Sequence, residues 1–236
     1  MVKAAATDID GTLTVSRNGY KLSLEAIRTL KKHGIPIILV SGNALSVVIG
    51  LSRYLGTSGP VLGENGCLIF YRGRKYYVTR ESAVEVAKAI SEKFREFIED
   101  SWQNHYRELD FAFKIRSKYE NKPYYVVSKI EEFLKAKGFS HVKILFSGFT
   151  IYVAPKSCGK AKGLTFASKL LKIPLNEILG VGDGLNDIEL LEAVGFPTTV
   201  SNADPELKRI AKYVTSKPSG AGFSEMVEQI ISGRLS

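Results

Sequence analysis

Cysteine, methionine, tryptophan and histidine are all scarce in this chain of 236 residues, numbering two, two, one and three. Cys67 and Cys158 lie far apart and outside any paired motif, so they read as two buried, inert thiols rather than a disulfide or a metal site. His33, His105 and His141 are isolated and read as structural or exposed, with His105 the one placed to meet a substrate. No apolar run approaches the ~20 residues that span a bilayer. The N-terminus lacks the basic-then-apolar layout of a signal peptide, so a cytoplasmic protein with no membrane partner is expected. Long linkers, internal repeats and low-complexity segments are absent too.

The net charge is +9, which raises the question of nucleic acid. Its distribution argues against one. Residues 1–79 carry ten Lys/Arg against four Asp/Glu, residues 80–154 thirteen against eleven, and residues 155–236 ten against nine, with no basic tail. The densest cluster, Arg72, Arg74 and Lys75 around Gly73, reads as a solvated hairpin turn. A positive field suits a phosphorylated small molecule as well. With 44% hydrophobic and 24% charged residues the chain is globular, and its length suits a core of ordinary size with a smaller inserted domain.

What is present begins at the N-terminus, where an apolar run from Val2 to Thr7 ends in Asp8-Ile9-Asp10-Gly11-Thr12. Val2–Ala6 reads as a buried strand, and two carboxylates at its end repel unless a cation offsets them. Magnesium, a hard ion taking oxygen ligands and often carrying phosphate, is the natural solution. Alone, an Asp-Gly pair is usually a turn. A helix closed near Gly34 follows, then the apolar run Ile35–Val40, the mark of a strand covered on both faces. Ser41-Gly42-Asn43 ends it, and a second helix spans Ala44–Leu55. Ser41 sits where a strand gives way to a helix N-terminus, a place that holds phosphate.

The middle differs. Ser82–Glu99 reads as a charged amphipathic helix, Phe111–Arg116 as a half-exposed strand, Tyr124–Lys137 as a helix, and Val142–Phe146 with Thr150–Ala154 as an antiparallel hairpin. An inserted α+β cap is therefore placed at residues 80–154, with residues 1–79 and 155–236 forming a doubly wound, mostly parallel α/β core. Beyond it, Lys160 and Lys162 compete for a phosphate-neutralising role in Cys158-Gly159-Lys160-Ala161-Lys162-Gly163, which lacks the glycine spacing of a Walker loop. Ile178–Val181 then runs into Gly182-Asp183-Gly184-Leu185-Asn186-Asp187. Two acidic strand ends from opposite ends of the chain converge in an open α/β sheet, where ligands bind beyond the carboxyl ends of the strands.

In their order, Asp8-Ile9-Asp10-Gly11-Thr12, Ser41, Lys160 and Gly182–Asp187 resemble the four motifs of the haloacid dehalogenase superfamily. The Glu64-Asn65-Gly66 loop, the inserted cap and the Ser201–Lys208 segment resemble its Cof-like branch, and the length and short cap its archaeal phosphoglycolate phosphatases. The resemblance implies a phosphomonoesterase, with 2-phosphoglycolate the first expectation and a sugar phosphate or phosphoglycerate derivative the alternative. It further implies that Asp8 is the nucleophile and Asp10 the general acid/base, and that Ser41, Gly42, Lys160 and Asn186 hold the phosphoryl group. By the same likeness Asp8, Asp10, Asp183 and Asp187 organise Mg²⁺, with the Ile9 carbonyl as another ligand. The leaving group would meet the cap, whose Arg107, Lys114, Arg116, Lys118 and Lys122 are candidate partners for a carboxylate. The expected partner is a small phosphorylated metabolite bound by a monomer or homodimer. A non-catalytic phosphate receiver is the rival, disfavoured because a module that only binds has no use for an acid/base at Asp10.

Overall fold

The computed structural model describes residues 1–14 and 22–235. Its first strand, β1 (Ala4–Thr7), is wholly buried, with Ala5 facing one apolar core and Ala4 and Ala6 the other. Small side chains suit a central strand overlaid by helices on both faces. The chain continues through α1 (Leu24–Lys32), β2 (Ile37–Val40), α2 (Leu45–Leu55) and β3 (Val61–Gly63) to the hairpin β4 (Leu68–Tyr71) and β5 (Arg74–Tyr77). A second group comprises α3 (Val84–Phe94), β6 (Ile98–Asp100), β7 (Phe111–Ile115), α4 (Pro123–Lys137), β8 (Val142–Phe146) and β9 (Thr150–Pro155). The alternation then resumes with α5 (Lys160–Leu171), β10 (Ile178–Gly182), α6 (Ile188–Glu192), β11 (Phe196–Thr199), α7 (Pro205–Ile210), β12 (Tyr213–Val214) and α8 (Ser219–Ile231).

The large sheet has the order β12-β11-β10-β1-β2-β3-β4-β5, parallel except for β4 and β5. One core takes Ile27 and Leu30 of α1, Leu45 and Val48 of α2, and Phe223 and Met226 of α8. The other takes Leu164 and Ala167 of α5, Leu190 and Leu191 of α6, and Leu207 of α7. The sheet is thus doubly wound. From β1 the chain moves outward to β2 and β3, whereas β10 leads the other way to β11 and β12. The order therefore reverses between β1 and β10, where open α/β sheets bind ligands. The second group forms an antiparallel sheet, β6-β7-β9-β8, whose core joins Val86 and Ile90 of α3 to Val126 and Ile130 of α4.

Three expectations need correction. The first strand starts at Ala4 rather than Val2. The helix expected over Ser82–Glu99 covers only Val84–Phe94, and Ile98–Asp100 becomes edge strand β6. Ile90, Phe94, Phe97 and Ile98 keep a helical spacing, so periodicity alone could not find the break. Finally, Cys67 and Cys158 are not separate thiols but a disulfide, with Cα atoms 5.0 Å apart across a sequence separation of 91. The separation conceals that the turn Glu64–Gly66 lies directly on α5. A Cβ at Gly163 would stand 2.6 Å from the Gly66 carbonyl oxygen, so glycine there permits the approach that aligns the two sulfurs.

Candidate active site

Strand register sets the geometry. Thr7 pairs with Val181, and the Asp8 N–H donates to the Val181 carbonyl at 2.9 Å, so Asp8 and Asp183 leave adjacent parallel strands at the same edge. Gly11 turns the chain back with φ +87°, and a Cβ there would collide with the Asp183 carboxylate. Thr12 Oγ1 donates to Asp183 Oδ1 at 3.0 Å. The 3-10 turn Leu185–Asp187 then brings the second carboxylate of this strand end into place, and oxygens of Asp8, Asp183 and Asp187 lie within 4.8 Å of one another.

Lys160, only 2% exposed at the first turn of α5, reaches into this cluster. Its Nζ donates to Asp8 Oδ1 at 2.8 Å and to Asp187 Oδ1. Lys162 turns away, donating to the Lys156 carbonyl at 2.8 Å. Burial pushes the Asp8 carboxyl well above its usual range; Lys160 opposes this, and Asp187 and Asp183 reinforce it. For Lys160 burial alone would depress the ammonium, but the Asp187 and Asp8 carboxylates prevail and hold it above the ordinary lysine value. Three buried carboxylates against one ammonium leave negative charge uncompensated. The all-oxygen donor set fits Mg²⁺. Asp187 Oδ2 also accepts the N–H groups of Asp183 and Gly184, both at 3.1 Å, so this carboxylate braces the loop that presents Asp183.

Asp10 stands apart from the trio. It is exposed, and its Oδ2 accepts Asn43 Nδ2 at 2.9 Å. Asn43 also donates to Ser41 Oγ, from Nδ2 at 3.0 Å and from its backbone N–H at 3.1 Å. Asp8, Asp10, Ser41, Gly42, Asp183 and Asn186 line one side of a cleft of about 210 Å³. Facing them are Ser147, Phe149, Thr150 and Tyr152 of the β8–β9 hairpin. None of the five cations expected to meet a leaving group lines this cleft. Lys114 and Arg116 border a separate depression of about 810 Å³, and Lys118 and Lys122 are exposed. Arg107 is buried in an ion pair with Asp110 and donates to the Gly42 carbonyl at 2.7 Å. His105 is exposed and outside the cleft.

Some residues of the site carry no acidic or basic signal to find them by. Asn43 and Gln103 are the main instance. Asn202, inside the Ser201–Lys208 segment, donates to the Gly11 carbonyl at 3.1 Å and accepts the Ser219 N–H at 2.6 Å, pinning the Gly11 turn to the start of α8. Glu64 does carry a charge, but nothing in the sequence shows its partners: its carboxylate accepts the N–H groups of Glu108, Leu109 and Asp110, the closest at 2.7 Å, fastening the inserted module to the core. Burial, with Asp110 adding to it, pushes Glu64 up to about 7. A carboxyl raised on folding binds its proton more tightly in the native state, so its contribution to stability declines as pH rises from about 4.5 to about 7 and is level above that. Glu64→Gln keeps an oxygen for the backbone N–H groups and cannot ionise. In urea unfolding at pH 5 and pH 8 the variant is expected to lose less stability across the interval than wild type, and equal losses would show that Glu64 does not titrate there.

The sequence pattern of the haloacid dehalogenase-like hydrolases matches residues 5–150 and 71–227. A Staphylothermus marinus protein named phosphoglycolate phosphatase is 43% identical over 235 residues, spanning 98% of each chain. A Saccharolobus solfataricus protein named phosphoglycolate phosphatase 1 is 36% identical, covering 100% of this chain and 98% of its own. Among solved structures, a Thermoplasma acidophilum protein superposes with a TM-score of 0.84 at 25% identity, covering 98% of this chain and 99% of its own. A Synechocystis sucrose-phosphatase shares the fold, with a TM-score of 0.76 at 18% identity and coverage of 98% and 99%. The chain belongs to the haloacid dehalogenase-like hydrolases.

Proposed function

We propose that the protein is a Mg²⁺-dependent phosphomonoesterase that hydrolyses 2-phosphoglycolate through an aspartyl-phosphate intermediate. The observation that carries this reading is the buried Asp8–Lys160–Asp183–Asp187 cluster at the sheet's reversal point, opening into a small cleft. Asp8 attacks phosphorus in line, forming the Asp8–phosphorus bond as the ester oxygen leaves. Lys160 stabilises the charge of the transferring group, while Ser41, Gly42 and Asn186, which line the same wall, hold its oxygens. Asp10 protonates the departing alkoxide and then takes a proton from the water that hydrolyses the acyl phosphate. Asp8 and Asp183 would hold Mg²⁺, with Asp187 bracing the loop that presents Asp183. When bound, it supplies charge neutralisation on the phosphoryl oxygens.

Residues 80–154 act in this reading as a cap, the β8–β9 hairpin supplying the wall that meets the leaving group. A cleft of about 210 Å³ falls below the ~300–1,000 Å³ of sites for drug-sized ligands, which favours a two-carbon leaving group over a sugar. The names of the archaeal relatives point the same way. Among the described residues no lysine or arginine lines the leaving-group wall. A glycolate carboxylate would therefore be held by hydroxyl groups, those of Ser147, Thr150 and Tyr152 being the ones on that wall. The test is a kinetic screen across phosphomonoesters. 2-Phosphoglycolate should give the highest kcat/KM, EDTA should silence the enzyme and Mg²⁺ restore it. Higher kcat/KM on hexose phosphates would replace the substrate assignment, and full activity in metal-free buffer would remove the metal.

A further inference from the structure

Asp10 is held from the inserted module through a relay of two amides. Gln103, on the 3-10 turn Trp102–Tyr106, accepts the Ala44 backbone N–H on Oε1 at 2.8 Å and donates from Nε2 to Asn43 Oδ1 at 2.7 Å. Asn43 in turn donates from Nδ2 to Asp10 Oδ2 and to Ser41 Oγ. An amide side chain has two faces of opposite character, and each link here must show the correct one. A backbone N–H can only donate. Because Ala44 N–H fixes the oxygen of Gln103 toward itself, Gln103 must present its NH₂ to Asn43, and Asn43 must then present its own NH₂ to Asp10. The polarity of the chain is thus set at its far end.

The mounting of Gln103 is rigid for a half-buried side chain. Ser101 Oγ accepts the Gln103 N–H at 3.3 Å, and Asn104 locks the turn to β7 with two bonds to the Ala112 backbone, both at 2.9 Å. Arg107, at the other end of the turn, is bound to the Gly42 carbonyl. The turn therefore grips the 42–44 segment of the core at two points, and the grip exists only while the module sits on the core.

We propose that Asn43 and Gln103 are positioning residues for Asp10, which hold one carboxylate oxygen so that the other faces the ester oxygen, and that they do so only when the module is docked. The proposal rests on Asp10 being the general acid/base. Gln103→Glu tests the polarity with almost no change of shape. A carboxylate can still accept from Ala44 N–H but cannot donate to Asn43 Oδ1, so Asn43 turns over and points its oxygen at Asp10. Gln103→Leu removes both bonds.

The readout is the dependence on leaving group, taken in kcat/KM because that ratio stops at the first irreversible step and so excludes hydrolysis of the aspartyl phosphate. Departure of p-nitrophenolate needs little protonation, whereas departure of an alkoxide needs Asp10. Both variants should lose about 10-fold or more on 2-phosphoglycolate and β-glycerophosphate, a part of the ~10²–10⁴-fold that general acid catalysis contributes, and less than about 3-fold on p-nitrophenyl phosphate. A structural role would lower all three alike. Equal losses, or no loss from Gln103→Glu, would overturn the relay. Asp10→Asn serves as the control: if it shows no such split between alkyl and aryl substrates, the acid assignment itself fails, whatever Gln103 does.

Discussion

Asp8→Asn is expected to lower turnover of every phosphomonoester by about 10⁴-fold or more, a loss in keeping with removal of a nucleophile from a site that otherwise remains intact. The asparagine is close in shape and keeps an oxygen for Lys160, but its carboxamide is a poor nucleophile. Stability should move the other way. Asp8 is buried, its carboxyl held well above its usual range by burial and by Asp187 and Asp183, so removing its charge relieves repulsion in the folded state. The variant should therefore melt at or above the wild-type temperature while being inactive, a combination that a folding defect cannot produce. Acid quenching during turnover separates the two aspartates. Wild type should retain phosphoryl label on the protein and Asp8→Asn should retain none. Asp10→Asn should accept the group from an aryl phosphate and release it slowly. Label on Asp8→Asn, or residual activity within about 10-fold of wild type, would move the nucleophile elsewhere.

The acidic strand ends were legible because charge at the end of an apolar strand has few structural uses. Asp8 and Asp183 each follow a run of buried residues, and a parallel α/β order brings such ends together. The choice of Lys160 over Lys162 was not open to the same reasoning. Both lie at the start of one helix, and only the packing of α5 turns one inward to Asp8 and Asp187 and the other out to Lys156. The two amides that hold Asp10 were silent altogether. Asn43 and Gln103 are 60 positions apart, and nothing in either residue type announces that one will orient the other. The five cations proposed for the leaving group illustrate the converse, since charge was visible while direction was not. Arg107 turned inward to Asp110 and Gly42, and the rest face other surfaces.

The Cys67–Cys158 bridge carries the largest expected effect on stability. It closes a loop of 91 residues, and that loop contains the core hairpin β4–β5 and the whole β6-β7-β9-β8 sheet with its helices, so in the unfolded chain the bridge ties together two core positions that flank the module. Chain-entropy arguments give about 4–5 kcal/mol for a closure of this length, with measured losses for native bridges of about 2–5 kcal/mol. At about 2–4 °C per kcal/mol for a chain of this size, Cys67→Ala/Cys158→Ala should melt about 5–15 °C below wild type. Reduction of the wild type should reproduce much of that fall. Activity at 25 °C discriminates the mechanism. If the bridge acts on the unfolded ensemble, α5 stays in place in the variant through the Gly66–Gly163 approach and the Lys160 ion pairs, and kcat is retained while the melting temperature drops. If kcat falls in step with stability, the bridge is holding Lys160 in the native state. Two free thiols titrated in the native, unreduced protein would show that the bridge does not form, and the expected difference in melting would vanish with it.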